Sequence, residues 1–460
     1  TEEINLEIEE FQAIADSYTD VISYEAYLEA YKNETAISKE YLIEASAYTE
    51  LKDMEVTTLT DYEGMEGESV LTDEKGLISY EIEVEESGLY NMAILYYPVE
   101  GKSSAIQRSI FVDGQLPFAE LQNVEFDRIW QDRESTMMKD NQGNELKPNQ
   151  IEKPEWMEEV ISDYQGYYTK PYQIYLEKGS HVLSLLSRRE PMLLRSIRLF
   201  QTSSIPTYEE IKKEYESLGY EKVKDVIRVI EAEDSLKKSS QMLYPIVNHS
   251  SPAVTPYSPK ENRMNTIGGN NWRSSGQWIE WEVEVPSAGL YEIGMNVLQN
   301  FVRGIYTSRA IYIDGKIPFQ EMSQVAFTYK KDWQVKMLGN EKENYLFYFE
   351  EGIHTIRMEV VLGDLSQVIR QMEESVRSLN EIYRRVLSIT GTAPDKYRDY
   401  QIERTLPGLG EELYAEYENM TWVLDRLENM AGKISDREAG LVTMKDQLLE
   451  LYKDVEKTPR

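Results

Sequence analysis

Two runs of alternating apolar and polar positions dominate the first half of the chain. Ile78, Tyr80, Ile82 and Val84 form one, and Tyr90, Met92, Ile94 and Tyr96 form the next beyond a Ser87-Gly88 turn. A period of two predicts strands with one buried face, here a half-buried antiparallel pair. Arg108 to Val112 and Gln115 to Phe118 flank Asp113-Gly114, a dipeptide that accepts the positive φ angles of a type I′ hairpin. The same pattern returns as Ile279, Trp281, Val283 and Val285, then Tyr291, Ile293, Met295 and Val297, then Arg309 and Asp314-Gly315. The offsets 289 − 88 and 314 − 113 both equal 201, so the spacing predicts two copies of one β module. Gly179-Ser180-His181 recurs as Gly352-Ile353-His354 at 354 − 181 = 173, which gives the first copy 201 − 173 = 28 extra residues between Trp130 and Tyr172. The turn-rich run Asp140 to Asn144 inside them predicts an exposed loop.

Elsewhere the period is helical. Val21, Tyr24, Tyr27, Leu28 and Tyr31 predict a helix lying against the first module. Thr207 with Glu210 three residues on forms a capping box, followed by Tyr208, Ile211, Tyr215, Leu218 and a closing Gly219, which predicts a connecting helix. Beyond Leu362 one apolar face runs through Leu365, Val368, Ile369, Met372, Val376, Leu379, Tyr383 and Val386. Leu413, Tyr417, Met420, Leu424 and Leu427 mark a second helix; a third opens at Ser435 with Glu438 and runs through Leu441, Met444, Leu448 and Tyr452. The fold expected is a multidomain α+β chain of tandem jelly-roll-like β-sandwich modules plus an α-helical bundle. Its parts are an N-terminal helical segment (1–40), module 1 (41–201), a linker helix (202–225), module 2 (226–362) and the bundle (363–460). The first copy continues past its Gly-x-His strand through Arg189 to Phe200, whereas the second enters the helices. That asymmetry predicts a bundle inserted into module 2, with the module's closing strand beyond Arg460.

Composition narrows the function. The 82 acidic and 49 basic residues leave a net charge of −33, which opposes phosphate backbones and anionic lipid surfaces and excludes nucleic acid as the expected partner. There is no cysteine, hence no disulfide, zinc thiolate, iron–sulfur cluster or cysteine nucleophile. No apolar run reaches membrane-spanning length, and a chain opening Thr1-Glu2-Glu3 suits the mature form of an exported protein. Tyrosine outnumbers phenylalanine 33 to 10, favouring rings with a polar edge that can sit half-exposed or stack on sugars. Metallohydrolase, serine-hydrolase, P-loop and dinucleotide signatures are absent. His181 and His354 share one position in the two copies and His249 stands apart, which suits a scaffold role. A glycoside-acting carboxylate pair ranks third among the readings, because in so acidic a chain such pairs arise by chance.

The second module opens with Ile230-Glu231-Ala232-Glu233-Asp234, followed by Asn270-Asn271-Trp272 and Gly276-Gln277-Trp278-Ile279-Glu280-Trp281. Here the chain resembles the β-sandwich carbohydrate-binding modules of families 6 and 35. The resemblance implies Glu231 and Glu233 as ligands of a structural calcium, and Asn271 and Trp272 as sugar contacts. The first copy reads Ile43-Glu44-Ala45-Ser46 and keeps one of the two carboxylates. Arg108 and Arg309, matched in the two copies, are candidates either for a sugar hydroxyl or uronate, or for an ion pair with Asp113 and Asp314 that fixes each turn. A wider resemblance runs through Tyr96 to Ser104, Asn265 to Gly269 and Pro394 to Tyr400. Over nearly its whole length the chain is similar to the N-terminal ectodomain of large extracellular solute-binding proteins of Gram-positive carbohydrate ABC transporters. That resemblance implies a non-catalytic glycan-binding region at the cell surface, lipid-anchored in the full-length protein, with a sugar permease as partner through a further C-terminal domain. The alternative is a spacer or protein-docking pair of sandwiches that binds no sugar.

Overall fold

The structure is a computed structural model describing residues 6–17, 21–34, 37–134, 136–301, 303–395, 397–431 and 439–457. The predicted capping pair Ser435 and Glu438 lies outside the described residues, while the helix it was to open, through Leu441, Met444, Leu448 and Tyr452, is present as Ala439–Lys453. Contacts divide the chain into two units: residues 1–293, 310–323 and 340–360 form the first, and 294–309, 324–339 and 361–460 the second.

In the first unit, one sheet runs Val56–Thr60, Glu68–Thr72, Met192–Phe200, Gly88–Tyr97, Met157–Val160, with Tyr41–Glu44 also on Met192–Phe200 and Gln173–Leu176 also on Gly88–Tyr97. A second runs Glu50–Lys52, Leu77–Val84, Gly179–Arg189, Ile106–Val112, Val124–Phe126. Leu77–Val84 and Gly88–Tyr97 thus lie in different sheets, not in the pair their alternation predicts. Each buries its apolar face in one shared core, with Ile78, Tyr80, Ile94, Leu185 and Ile197 all inside, so the Ser87-Gly88 turn carries the chain across a sandwich.

Asp113 and Gly114 both take positive φ, 51° and 75°, as a type I′ turn requires, but the returning chain makes a single bridge, Val112↔Gln115, rather than a strand. The Asp113 carboxylate accepts the Val182 N–H at 2.8 Å and meets His181 Nδ1 at 2.7 Å. Asp314 repeats both contacts with Thr355 N–H at 2.9 Å and His354 Nδ1 at 2.7 Å. The histidines, and not the arginines weighed from sequence, fix these hairpins.

The helix Tyr24–Ala30 packs its tyrosines on the first sandwich: the Tyr24 hydroxyl accepts the Gln173 N–H (2.9 Å), the Tyr27 hydroxyl accepts the Tyr175 N–H (2.7 Å), and Glu120 accepts the Tyr24 N–H (2.9 Å). Helix Tyr208–Leu218 opens with the predicted capping box and closes on Gly219 at φ 71°. It makes the matching bonds: Tyr208 hydroxyl to Leu346 N–H (3.1 Å), Tyr215 hydroxyl to Tyr348 N–H (3.4 Å), and Tyr208 N–H to Glu321 (2.9 Å). The predicted connector is therefore the second strand set's own helix, as Tyr24–Ala30 is the first's.

The extra residues of the first copy form strands on either side of the predicted turn, whose tip at Asn141 and Gln142 is exposed. Trp130–Asp132 pairs with Gln150–Glu152 and, through Trp130↔Lys238, with Lys237–Lys238, which lies on Trp278–Val285. That sheet continues through Gly352–Val361 to Tyr306–Ile313, joined within this unit from Ala310 on. The turn over residues 140–144 forms as predicted, yet Asn144 Oδ1 accepts the Asn262 N–H at 2.9 Å and the Glu145 N–H donates to the Asn262 carbonyl at 3.0 Å. Inserted backbone groups thereby find partners on what would otherwise be an open sheet edge.

The second unit holds helices Leu365–Thr390, Ile402–Thr405, Leu409–Ala431 and Ala439–Lys453. Ile382, Val386, Leu409, Leu413 and Leu448 form one buried cluster and Val368, Val423 and Leu427 another; Val368, Val386, Leu413 and Leu427 stand on the faces their spacing predicts, whereas Val376 and Tyr383, assigned to the buried face, are exposed and Ile382 and Val423 are buried instead. Gly294–Val297 pairs there with Gln334–Met337, and Tyr306 to Arg309 with Val325–Thr328.

Candidate functional site

The loop over residues 268–277 begins with two left-handed glycines, Gly268 (φ 102°) and Gly269 (φ 57°). A Cβ on Gly268 would stand 3.0 Å from Trp272 Cε3, so the glycine lets the backbone lie against the indole. The Trp272 Nε1–H donates to the Gln277 carbonyl at 3.0 Å, and Gln277 Oε1 accepts the N–H groups of Arg273 and Ser274, each at 3.0 Å. The indole is thus held by its nitrogen edge and half-buried, with Asn271 half-buried beside it. Trp281 meets the Trp272 ring edge-on at 6.4 Å and donates its own Nε1–H to the Ala232 carbonyl at 2.8 Å. The two tryptophans therefore bring the loop and the Glu231 to Glu233 segment into one neighbourhood.

Glu233 is buried and its carboxyl is pushed up to about 7, first by desolvation and then by the charges of Glu231, Asp234 and Glu145. Glu231 accepts a hydrogen bond from the Thr255 hydroxyl at 3.2 Å. Among the described residues no group of three or more His, Cys, Asp or Glu is placed to hold a metal ion. The two carboxylates alone fall short of the six to eight oxygens that calcium takes.

Arg108, a candidate sugar contact by sequence, is 1% exposed and turned inward. Its Nη1 donates to the carbonyls of Gln107 (2.8 Å), Arg189 (3.0 Å) and Glu190 (3.0 Å), and its Nη2 reaches the Thr72 hydroxyl at 3.3 Å. An enclosed guanidinium tying strand ends cannot also touch a glycan. Arg309 belongs to the second unit, is half-buried and donates Nη1–H to the Ser308 carbonyl at 2.8 Å; burial pulls its guanidinium down to about 10.

A second polar cluster escaped the sequence analysis. The Asp127 carboxylate, on the first sandwich, accepts the Trp278 Nε1–H at 2.7 Å, and the Arg357 guanidinium lies 4.0 Å over the Trp278 ring with its Nε 3.0 Å from Glu280 Oε2. Desolvation raises Asp127 to about 6 and Glu359 to about 7, and raises Glu159 as well, with Asp127 and Glu359 adding repulsion there. The one signal in the sequence was the charged pair Arg357 and Glu359 at alternate positions of a strand; their partners lie on segments that no spacing relates.

Several solved carbohydrate-binding structures are similar to part of the chain. The Podospora anserina GH26-CBM35 β-(1,4)-mannanase shares 14% identity over 36% of this chain and 28% of that one, with a TM-score of 0.23. This chain thus spans about a quarter of that enzyme's length. The C-terminal CBM6 of LamC from Zobellia galactanivorans shares 16% identity over 35% of this chain and 100% of its own (TM-score 0.22). A family 35 module from Clostridium thermocellum shares 15% over 36% and 100% (TM-score 0.20). No curated protein matches the chain. Residues 367–460, the helical region, match the family model of the bacterial solute-binding protein 4-helix bundle domain.

Proposed function

We propose that this chain is the non-catalytic, carbohydrate-binding extracellular region of a solute-binding protein serving a sugar ABC transporter. The observation that carries the reading is the match of residues 367–460 to a solute-binding protein helical domain, in the same chain as antiparallel sandwiches. Within that reading, Trp272 and Asn271 form the sugar platform: the half-buried indole offers ring surface, the Gln277 carbonyl holds its nitrogen edge, and the neighbouring amide supplies hydrogen bonds. Glu231 and Glu233 are proposed as part of a calcium site beside it, which would need further oxygens. A cation there would relieve the repulsion that raises the Glu233 carboxyl. The chain would act on the outer side of the membrane, lipid-anchored, with a permease as partner through a domain outside these residues. In the described residues no helix is long and apolar enough to cross a membrane.

The test is a glycan-array screen of residues 1–460, run with calcium and with chelator, alongside Trp272→Ala. Binding that is lost in Trp272→Ala supports the sugar platform, and loss in chelator supports calcium. Binding to no glycan under either condition overturns the reading in favour of a spacer or protein-docking role.

A further inference from the structure

The strand Met192–Phe200 is the keystone of the first sandwich. It pairs with Tyr41–Glu44 (Tyr41↔Leu199 to Glu44↔Ser196), with Glu68–Thr72 (Met192↔Thr72 to Leu194↔Val70) and with Gly88–Tyr97 (Leu193↔Tyr97 to Phe200↔Asn91). Met192, Leu194, Ile197 and Leu199 are all buried in the core.

Each neighbour of this strand has a counterpart in the second strand set, and none of the counterparts has the strand. The segment Arg228 to Glu231 corresponds to Tyr41–Glu44. Its register is set by a shared contact: the Tyr80 hydroxyl donates to the Ala45 carbonyl at 3.2 Å, and the Trp281 indole to the Ala232 carbonyl at 2.8 Å. Yet among the described residues no strand pairs with residues 228–231, and Ile230 is 38% exposed where Ile43 is 6%. Pro245–Val247 and Met264–Ile267 correspond to Val56–Thr60 and Glu68–Thr72, and among the described residues pair only with each other. Gly289–Tyr291 takes Phe347–Phe349 in the same register that Gly88 to Tyr90 takes Ile174 to Leu176, and its other edge, which lies outside the stretch Met192–Phe200 covers in the first sandwich, bonds to residues 221–223 through the bridge Lys222↔Leu290. In the second unit, Gly294–Val297, counterpart of Ala93 to Tyr96, pairs among the described residues with Gln334–Met337 alone.

Chain order says what is missing. In the first sandwich Gly179–Arg189 turns through Glu190-Pro191 directly into Met192–Phe200. In the second, Gly352–Val361 leads instead into the helix Leu365–Thr390, so helices stand where the two-residue turn stood. Met264–Ile267 paired with a strand on one side only among the described residues, with Ile230 left out of a core, is what removal of one central strand leaves behind. We infer that the second sandwich is completed by a β-strand patterned like Met192–Phe200, apolar at alternate positions, which this same polypeptide supplies after its helical region. The strand runs antiparallel to residues 228–231, as Met192–Phe200 does to Tyr41–Glu44, and covers Ile230.

The chain has no cysteine, so a single thiol reports on the slot. Ile230→Cys is placed in the 460-residue protein and in the natural polypeptide extended past Arg460, and its rate of alkylation is compared with that of Leu42→Cys, whose parent side chain is 61% exposed beside the strand already present. Ile230→Cys is expected to react about 100-fold more slowly in the extended protein than in the 460-residue one, with Leu42→Cys equally fast in both. Hydrogen exchange on the unsubstituted proteins guards against a variant that misfolds: amides at 228–231 exchange fast in the 460-residue protein and become as slow as those at 41–44 in the extended one. Equal protection at 228–231 and 41–44 in the 460-residue protein overturns the inference, as does an extension that leaves Ile230→Cys reactive. Protection that grows with the concentration of the 460-residue protein also overturns it, because a second copy would then be the donor.

Discussion

Lys238 is fully buried where the first copy's inserted strand meets the second sandwich, and its ammonium sits 2.5 Å from the Asp132 carboxylate, whose side chain keeps 15% of its exposure. The two halves of this pair should therefore fail unequally. Asp132→Asn leaves an ammonium with no exposed surface and no counter-charge, which costs about 3–5 kcal/mol. Lys238→Met removes the ammonium at similar volume and leaves a carboxylate that still reaches water and the Gln150 amide, so about 2 kcal/mol is expected. Together the changes remove both charges and should cost only about 1 kcal/mol, a coupling of several kcal/mol in the double-mutant cycle. Burial already lowers the Lys238 pKa from its ordinary 10.5, with Asp132 opposing the shift. In Asp132→Asn that opposition is gone. The unfolded chain then binds the proton more tightly than the folded one, and the variant's stability rises with pH up to the unfolded value. Urea unfolding at pH 7 and pH 9, with hydrogen exchange of peptides over 130–132 and 237–239 as the local readout, measures all of this. Lys238→Met as damaging as Asp132→Asn, or a coupling under about 0.5 kcal/mol, would refute the argument.

Three further outcomes follow from buried charge. Asp127 and Glu359 are raised to about 6 and about 7, so the folded state holds their protons more tightly than the unfolded chain; stability contributed below about pH 4 is lost as pH rises through 6 to 7. Wild type should therefore lose more stability between pH 5 and 8 than Glu359→Gln does, in thermal melts, and equal losses would contradict the assignment. His354 is raised above 6.5, desolvation being outweighed by Asp314 and the Glu350 carbonyl. Its contribution is complete below 6.5 and lost as pH rises through the folded value, so an NMR titration should place its pKa above that of Asp314→Asn, and the reverse order counts against the hairpin role. Arg128 donates Nη2–H at 3.0 Å to Glu190, a carboxylate with no exposed surface. Arg128→Met should cost about 3–5 kcal/mol in urea and Glu190→Gln distinctly less, because the amide oxygen still accepts from the Lys102 N–H, its NH2 can donate to the Ser104 hydroxyl, and Arg128 keeps Glu152.

The alternation around Tyr80 and Tyr90 identified both strands but assigned them to one sheet, because a period of two shows which face is buried and not which neighbour covers it. The constant offset of 201 predicted two copies of one β module, and the Asp113 and Asp314 hairpins make matching contacts with His181 and His354. The helix Tyr208–Leu218 fell outside that module, since its counterpart Tyr24–Ala30 lies at a different offset, 208 − 24 = 184, and its tyrosine hydroxyls bond to backbone that no periodicity marks. Insertion length was legible, but the docking of Glu145 on Asn262 depends on tertiary contacts between segments over a hundred residues apart. Arg108 and Trp272 show the limit at the site itself: one looked like a surface arginine and is enclosed, while the other, in a polar loop, is pinned by a carbonyl five residues on. The Asp127 and Glu359 cluster left only the alternation of Arg357 and Glu359 along one strand, with nothing to relate it to Asp127.

The most direct test of the account is a calorimetric titration of the 460-residue protein with the glycan selected on the array, repeated for Trp272→Ala, Trp272→Phe and Arg108→Lys. Trp272→Ala is expected to lose at least about 30-fold in affinity, or about 2 kcal/mol, as a stacking tryptophan should. Trp272→Phe, keeping a ring face, should stay within about tenfold of wild type, and Arg108→Lys, if folded, should bind unchanged. A Trp272→Ala protein that binds the glycan as tightly as wild type would contradict the claim that this loop is where sugar is held.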